Sequence, residues 1–206
     1  RNMPENIVIA LDAMGGDHAP DIVIKGIDIV RIQFPQARFL LFGDEARLEP
    51  LLKTYPGVSA VCDLRHTDEA IRSEDKPSQA LRKGRKSSMR LAIDAVRDGE
   101  AGAVVSAGNT GALMAMAKFS LRMMAGIDRP AIASVLPSPR GETVMLDLGA
   151  NVECDAENLV QFAFMGADFA RAVLGRVPPR VALLNVGSEE LKGHDTIKAA
   201  GDRLRS

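Results

Sequence analysis

The chain has 206 residues, of which 46% are hydrophobic and 26% are charged, and its formal net charge is −1. A chain of this length can bury a sizeable core, and the composition is typical of a soluble globular protein. The near-zero net charge disfavours nucleic acid as a partner, so any anionic partner has to be met by a local positive patch. The longest apolar stretch, around residues 112–124, is broken by Lys118 and Arg122 and is too short to cross a bilayer.

Cys62 and Cys154 are the only cysteines, and no Cys/His pairs occur at metal-ligand spacing. This pattern predicts free thiols, no metal site and a reduced cytoplasmic environment. A catalytic thiol is the alternative, but neither cysteine has an activating neighbour in the sequence. The residues before the first apolar run are not typical of a signal peptide, which also favours a cytoplasmic location.

The first half of the chain alternates short apolar runs with amphipathic segments. Strands are predicted at 7–11, 37–43, 58–64 and 103–105. Helices are predicted at 20–34, at 44–53 with Asp44 as its cap, and at 88–96. The first strand is a continuous apolar run, as expected of a central parallel strand covered on both faces. This alternation predicts a doubly wound α/β fold.

The second half continues the same alternation. A helix is predicted from about Thr110 to Met124, two strands at 131–136 and 143–148 with a turn at 137–141 between them, a long helix at 156–174, a strand at 181–186 and a helix at 194–204. No internal repeat or low-complexity segment interrupts the pattern. We therefore predict a single α/β domain over residues 1–206.

The stretch Ala103–Ala112 reads as a buried strand, a turn without bulky side chains, and the start of an apolar helix. A loop of this kind presents free backbone N–H groups and the positive end of a helix, which together favour an anion. Its glycines, Gly108 and Gly111, allow close approach to the backbone, and its polar side chains add donors: Ser106, Asn109 and Thr110. The alternative is an ordinary turn in which Asn109 or Thr110 caps the helix.

Four loops of this polar, glycine-bearing type follow predicted strands. They contain Asp12, Gly15, Gly16, Asp17 and His18; Ser106 to Gly111; Asp147 and Asn151; and Gly187 with Lys192. Because the carboxyl ends of parallel strands meet at one edge of a sheet, the four loops are expected to outline a single ligand cleft.

One dense basic run lies between the third strand and the helix at 88–96. It consists of Arg82, Lys83, Arg85, Lys86 and Arg90. A solvated helix face is one interpretation, and a docking patch for an acidic partner or an anionic substrate is the other.

Several well-known chemistries are disfavoured by missing motifs. The sequence lacks the phosphate-binding pattern G-x-x-x-x-G-K-[ST], the dinucleotide pattern G-x-G-x-x-G and the G-x-S-x-G elbow of serine hydrolases. What remains is an anion site without an obvious covalent nucleophile. Such a site suits a reaction in which inorganic phosphate is itself the nucleophile, so that catalysis rests on positioning and oxyanion stabilisation.

Four motifs resemble, in order and spacing, the bacterial phosphate acyltransferases of phospholipid synthesis, which use acyl carrier protein as donor. They are ALDAMGGDHAP, SAGNTGALMA, LDLGANVECDAENLVQFAFMG and LLNVGSEELKGHD. The resemblance covers nearly the whole sequence. It implies transfer of a fatty acyl group from acyl carrier protein to inorganic phosphate, and the acyl phosphate then feeds a membrane glycerol-3-phosphate acyltransferase.

The resemblance also implies a three-layer α/β/α, Rossmann-like fold with a mostly parallel sheet, related to isopropylmalate dehydrogenases and phosphotransacetylases. It implies a cytoplasmic homodimer that works at the membrane surface and needs no cofactor. Members of the family continue beyond the position of Ser206, so the last part of the family fold is expected to be absent from this sequence.

Position and chemistry assign the residues to roles. Phosphate is expected at Ser106, Gly108, Asn109, Thr110 and Gly111. Catalytic or orienting roles are assigned to Asp17, His18, Asn109 and Lys192. Further cleft residues are Asp12, Gly15, Gly16, Asp147 and Asn151, although a carboxylate beside phosphate needs donors between the two charges or must face the loop backbone.

The basic run Arg82–Arg90 then has acyl carrier protein as its candidate partner, since that protein is strongly acidic. Two other functions stay open. One is a CoA-dependent phosphotransacetylase-like enzyme, and the other is a non-catalytic scaffold for lipid enzymes at the membrane surface.

Overall fold

The computed structural model describes residues 7–139, 141–187, 189 and 192–206. The chain divides into two compact units, Arg1–Arg122 and Met123–Ser206, here called unit 1 and unit 2. The predicted turn at 137–141 and the predicted loop at 187–193 include residues 140, 188, 190 and 191, which lie outside the described residues. The prediction of one domain over 1–206 stays a prediction.

Unit 1 contains a four-stranded parallel sheet. Its strands are β1 (Ile7–Asp12), β2 (Ala37–Gly43), β3 (Cys62–His66) and β4 (Ala103–Val105). Their order across the sheet is β3-β2-β1-β4, and all three neighbouring pairs are parallel. The central position predicted for the first strand is thereby confirmed.

Helices connect successive strands, since parallel neighbours need long crossover connections, and one further helix follows β4. They are α1 (Asp21–Gln33), α2 (Glu45–Thr54), α3 (Pro56–Ser59), α4 (Pro77–Lys83), α5 (Ser88–Arg97) and α6 (Thr110–Leu121). Asp44 caps α2 by accepting a hydrogen bond from the backbone of Ala46, as predicted.

The sheet of unit 1 lies between two layers of helices because its strands alternate. Leu11, Phe39 and Leu41 face a cluster with α1, α2 and α3, whereas Ala10 and Leu40 face a cluster with α5. A third cluster joins α4, α5 and α6 through side chains that include Ile71, Ala80, Met89, Ile93, Ala112 and Met116. A three-layer α/β arrangement with a parallel sheet is confirmed by this packing.

Two strand predictions in unit 1 need correction. The strand predicted at 58–64 begins only at Cys62, because Pro56 and Gly57 start the short helix α3 instead. The strand at 103–105 is present but is not buried: it is the edge strand of the described sheet, and Val105 is 55% exposed. Small β-branched runs read alike at the centre and at the edge of a sheet, so burial could not be inferred from them.

Unit 2 holds a two-stranded antiparallel hairpin and two helices. They are β5 (Ser134–Ser138), β6 (Gly141–Met145), α7 (Ala156–Leu174) and α8 (Asp195–Arg205). The strands predicted at 131–136 and 143–148 correspond to β5 and β6, which pair with each other in antiparallel orientation.

The strand predicted at 181–186 does not form. A strand needs the backbone hydrogen bonds of a neighbouring strand, and none of the described residues supplies them to this apolar segment. The helix α7 has the predicted bounds, since Asp155 and Asn158 form a capping box at its start and Gly175, at φ 64°, ends it. None of the described helices combines the length and apolar character needed to cross a membrane.

Candidate functional site

Two of the predicted loops lie side by side at the carboxyl edge of the sheet in unit 1. The strands β1 and β4 are parallel neighbours, with Leu11 paired to Val105, so the loops that follow them leave the sheet together. One loop runs from Asp12 to Pro20 and the other from Ser106 to Asn109, where α6 begins. This is the position at which open α/β sheets bind ligands.

The Asp12 carboxylate is buried at the root of these loops, with 3% of the residue exposed. Its Oδ1 accepts from the Ser88 hydroxyl at 2.5 Å and from the backbone N–H of Met14 at 3.2 Å. Its Oδ2 accepts from the Ser106 hydroxyl at 2.7 Å. Asp12 therefore faces hydroxyl and backbone donors of the protein, which is the arrangement that a carboxylate near an anion site requires.

The glycines of the two loops are explained by contact between the loops. A Cβ on Gly15 would lie 2.3 Å from Asp12 Oδ2, and one on Gly108 would lie 3.2 Å from the Cα of Gly15. Gly16 has φ +99° and its Cβ would lie 3.0 Å from the carbonyl oxygen of Ala107. Side chains at these three positions would separate the loops.

Asn109 caps α6 and fixes a neighbouring segment. Its Oδ1 accepts from the backbone of Ala112 at 3.0 Å, which confirms the prediction that Asn109 or Thr110 caps this helix. Its Nδ2 donates to the carbonyl oxygens of Ser73 at 3.0 Å and Asp75 at 2.9 Å, and more weakly to that of Arg72 at 3.4 Å. The whole amide group is therefore engaged within unit 1.

The first turn of α6 offers the donors that remain. Within the described part of the chain, the backbone N–H groups of Thr110 and Gly111 and the Thr110 hydroxyl have no hydrogen-bond partner, and both residues are exposed. Gly111 is required here because a Cβ would lie 2.8 Å from Pro77 at the start of α4. Free N–H groups at the positive end of a 12-residue helix are suited to an anion.

Asp17 and His18 lie at the surface of the first loop. Both side chains are exposed and have no hydrogen-bond or ion-pair partner among the described residues. They are therefore available to solvent and to a ligand.

Asp147 and Asn151 lie in unit 2, where they close a loop after β6. Asp147 accepts from the backbone N–H groups of Ile132, Ala150 and Asn151 at 2.8–3.1 Å and from the Asn151 amide at 3.0 Å. Burial alone would raise the pKa of Asp147, but these hydrogen bonds outweigh it and lower the pKa below the ordinary value. Asn151 also donates to the carbonyl of Pro130, so both side chains hold the loop together.

Lys192 also lies in unit 2, on a cavity of about 700 Å³ beside α7 and α8. Its ammonium group has no partner among the described residues, and its backbone carbonyl accepts from the Asn185 amide at 3.1 Å. The convergence of the four predicted loops in one cleft stays a prediction.

The basic run divides into free and engaged side chains. Arg82, Lys83, Arg85 and Lys86 are exposed and form no ion pair within the described residues. Arg90 is different, because it is about 80% buried and donates to both oxygens of Asp94 at 3.0 and 3.1 Å. Arg82, Arg85 and Arg90 line a groove of about 560 Å³ together with the exposed ring of Phe119.

Ser88 is the functional candidate that sequence reasoning missed. It is fully buried at the first position of α5, and its hydroxyl reaches Asp12 across 76 positions of sequence. A signal was present, since Ser88 is a polar residue on the same helical face as the buried Ala92 and Ala95.

The cysteines are poorly suited to nucleophilic chemistry. Burial raises the pKa of the Cys62 thiol to about 12. Burial also raises the pKa of Cys154, with further contributions from Asp147 and Asp155 that outweigh Arg129. Among the described residues, no group of three or more His, Cys, Asp or Glu side chains could hold a metal ion.

Comparison with known proteins shows to which family the chain belongs. The model of the family described as "Fatty acid synthesis protein" matches residues 7–206. The chain belongs to this family. It is 63% identical over 204 residues to the phosphate acyltransferase of Rhodospirillum centenum, and 58% identical over 203 residues to that of Rhodospirillum rubrum. The alignments cover 99% and 98% of this chain and 58% of each relative, so the chain spans little more than half of their length.

Solved structures agree on the fold. EutD phosphotransacetylase from Staphylococcus aureus superposes with a TM-score of 0.67 at 16% identity, covering 97% of this chain and 64% of that chain. A phosphotransacetylase from Streptococcus pyogenes gives a TM-score of 0.63 at 16% identity, covering 81% of this chain and 54% of that chain. Both predictions made from the sequence are confirmed for this member of the fatty acid synthesis family. They are the resemblance to the phosphate acyltransferases and the α/β fold.

Proposed function

We propose that this family member transfers a fatty acyl group from acyl carrier protein to inorganic phosphate and releases an acyl phosphate. A phosphate oxygen attacks the thioester carbonyl carbon, the carbon–sulfur bond breaks, and the thiolate of the carrier takes up a proton. The observation that carries the proposal is the exposed amino end of α6 in a chain 63% identical to a phosphate acyltransferase.

Phosphate binding is assigned to the first turn of α6. The N–H groups of Thr110 and Gly111 and the hydroxyl of Thr110 can donate to phosphate oxygens, and the helix dipole favours a dianion there. Ser106, Gly108 and Asn109 support this turn from within the loop, since their own polar groups are already paired with the protein. Because phosphate is the nucleophile, the protein needs to hold and orient it and need not form a covalent intermediate.

Proton handling is assigned to Asp17 and His18, whose side chains are exposed. They belong to the loop after β1, in which Gly15 lies against Ser106 and Gly108. Histidine changes its protonation near neutral pH, which suits the protonation of a leaving thiolate. Lys192, Asp147 and Asn151 remain predicted contributors from unit 2. For Asp147 and Asn151 the proposal is a supporting role, because their polar atoms bind each other and the loop backbone.

Docking of acyl carrier protein is assigned to Arg82, Lys83, Arg85 and Lys86. Four exposed cations without ion-pair partners among the described residues give a positive surface that complements an acidic protein. Arg90 contributes to the shape of this surface through its pair with Asp94.

The cellular setting follows from the same proposal. The acyl phosphate would serve a membrane glycerol-3-phosphate acyltransferase, so the enzyme is proposed to act as a cytoplasmic homodimer that contacts the membrane peripherally. No cofactor is needed for attack of phosphate on a thioester.

The test is phosphate-dependent cleavage of acyl–acyl carrier protein, measured on the 206-residue chain and on a version extended to the length of its relatives. In whichever form is active, Thr110→Val should raise the KM for phosphate about tenfold, since a hydrogen bond to a charged group is lost. Thr110→Ser keeps the hydroxyl and serves as the matched control. If neither form cleaves the thioester in a phosphate-dependent way, the proposed function is wrong.

A change of donor separates the alternatives. A phosphotransacetylase-like enzyme, suggested by the folds that superpose on this chain, would prefer a short acyl-CoA. A membrane-surface scaffold would bind vesicles or lipid enzymes and would retain that binding in the Thr110→Val variant.

A further inference from the structure

Three segments of unit 1 meet at one buried carboxylate. Asp12 ends β1, Ser106 follows β4 and Ser88 begins α5, and these three residues are here called the Asp12 cluster. The two serine hydroxyls and the Met14 N–H occupy both carboxylate oxygens. Short hydrogen bonds from hydroxyls to a buried carboxylate are stronger than those between neutral groups.

The cluster controls the direction of the Ser106 hydroxyl. A serine hydroxyl has one proton, and Ser106 donates it to Asp12 Oδ2 at 2.7 Å. Its oxygen lone pairs then accept the backbone N–H of Gly108 at 3.1 Å. The position of Gly108 is thus set by Asp12 through Ser106, and Gly108 lies two and three residues before the free donors of Thr110 and Gly111.

Ser88 fixes the other side of the carboxylate. Its backbone N–H donates to the carbonyl of Glu69 at 2.9 Å, and its hydroxyl donates to Asp12 Oδ1. Because both donors of Ser88 are engaged, the orientation of Asp12 depends on the start of α5 and on the backbone at Glu69.

Packing leaves the cluster little freedom. Gly15 must lack a side chain because a Cβ would lie 2.3 Å from Asp12 Oδ2 and 2.9 Å from the Ser106 oxygen. Ser88 is fully buried, so water cannot readily replace a missing hydroxyl. Loss of the Ser106 hydroxyl would leave Asp12 Oδ2 without its donor, and loss of the Ser88 hydroxyl would leave Oδ1 with only the longer hydrogen bond from the Met14 N–H.

We propose that Ser88 and Asp12 are positioning residues, which hold the loop from Ser106 to Gly111 in the conformation that presents its N–H groups to phosphate. Neither residue touches the anion. This inference rests on the proposed function for the identity of the ligand, but the geometry of the loop can be measured without any ligand.

The test uses amide hydrogen exchange and NMR titration with inorganic phosphate on the 206-residue chain. Ser88→Ala and Asp12→Asn should speed exchange of the Gly108 amide about tenfold and weaken phosphate binding, read on the Thr110 and Gly111 amides, by a similar factor. Ser120→Ala is the matched control, because Ser120 is also buried on a helix of unit 1 and donates to an aspartate, Asp94, at 2.9 Å. It should change neither measurement.

A second pair of variants tests the hydroxyl itself without depending on the buried Ser88. Ser106→Thr keeps the hydroxyl and adds a methyl group, and Ser106→Val has the shape of threonine but carries a methyl group in place of the hydroxyl. Threonine should retain slow Gly108 exchange and phosphate binding, whereas valine should lose both. In an active form, valine should raise the KM for phosphate with a much smaller change in kcat.

The two hypotheses fail in different ways. Unchanged Gly108 exchange in both Ser88→Ala and Ser106→Val would overturn the positioning role. A wild-type chain with slow Gly108 exchange but no phosphate-induced shift at Thr110 and Gly111 would instead remove the anion site from the proposed function.

Discussion

At the scale of single residues, Asp147 shows how backbone N–H groups can outweigh burial. Three N–H groups and one side-chain amide converge on its carboxylate, and its pKa lies below the ordinary value despite desolvation. A carboxylate whose pKa is lowered by folding stabilises the native state above its unfolded pKa of about 3.9. That contribution is lost as the pH falls through the lower, folded pKa.

Asp147→Asn should therefore destabilise unit 2 at pH 7, and the difference from wild type should shrink as the solution is made more acidic than pH 4. Urea unfolding at several pH values measures the difference. Asp202→Asn, an exposed aspartate of α8, is the control and should show little change at any pH. An NMR titration midpoint for Asp147 at or above the ordinary aspartate pKa would contradict the expectation.

The sequence predicted which residue types form the two loops of unit 1, but only part of what each residue contacts. Glycines and donors at positions 15, 16, 108, 109 and 111 were expected from the loop pattern, and all lie at the edge of the sheet in unit 1. The place of Ser88 on the buried face of α5 was visible in the sequence, but its contact with Asp12 and that of Pro77 with Gly111 were not, because these residues lie far apart along the chain. Asn109 likewise caps a helix, as its sequence position predicts, and also binds carbonyls more than 30 positions away.

At the scale of elements, the start of α6 is attached to the segment at 72–75 by one amide group. Asn109→Ala removes the helix cap and the donors to Ser73 and Asp75, so unit 1 should lose about 2–3 kcal/mol of unfolding free energy. Asn109→Asp keeps an acceptor for the cap but loses the donors. Urea unfolding should place it between wild type and Asn109→Ala; equal stability of all three proteins would contradict this account.

Elements with strong local signals were predicted well. The bounds of α7 follow from Asp155 and Gly175, and those of β2 from its apolar run. Elements that depend on pairing were predicted poorly, as at 181–186, where an apolar sequence lacks a described neighbour strand. Pairing is a property of the assembled sheet, so a single run of residues cannot specify it.

At the scale of the whole molecule, the formal net charge of −1 gives no indication of the exposed cations in the last turn of α4 and just after it. Charge reversal by Arg85→Glu with Lys86→Glu should raise the KM for acyl–acyl carrier protein about tenfold at low salt, with the KM for phosphate unchanged. The effect should diminish at high salt because exposed charges are screened.

Lys25→Glu on α1 gives an exposed control outside the basic run. Arg90 is unsuitable for this experiment, since it is largely buried and its loss would remove one of the two arginines that pair with Asp94. If the double variant and the Lys25 control behave alike across salt concentrations, the basic run is a solvated face and does not dock the carrier.

The position of β4 at the edge of the described sheet affects the motion of the loop that follows it. The strand that supports the Ser106 loop is bonded on one flank only in the described sheet, and over just three residue pairs. Edge strands open locally before central strands do, so a loop that follows β4 would fluctuate with this strand if nothing else restrained it. The Asp12 carboxylate, at the end of the central strand β1, attaches the Ser106 loop to the inner part of the sheet. When β4 opens, Val105 should therefore lose its protection from exchange before Gly108 does.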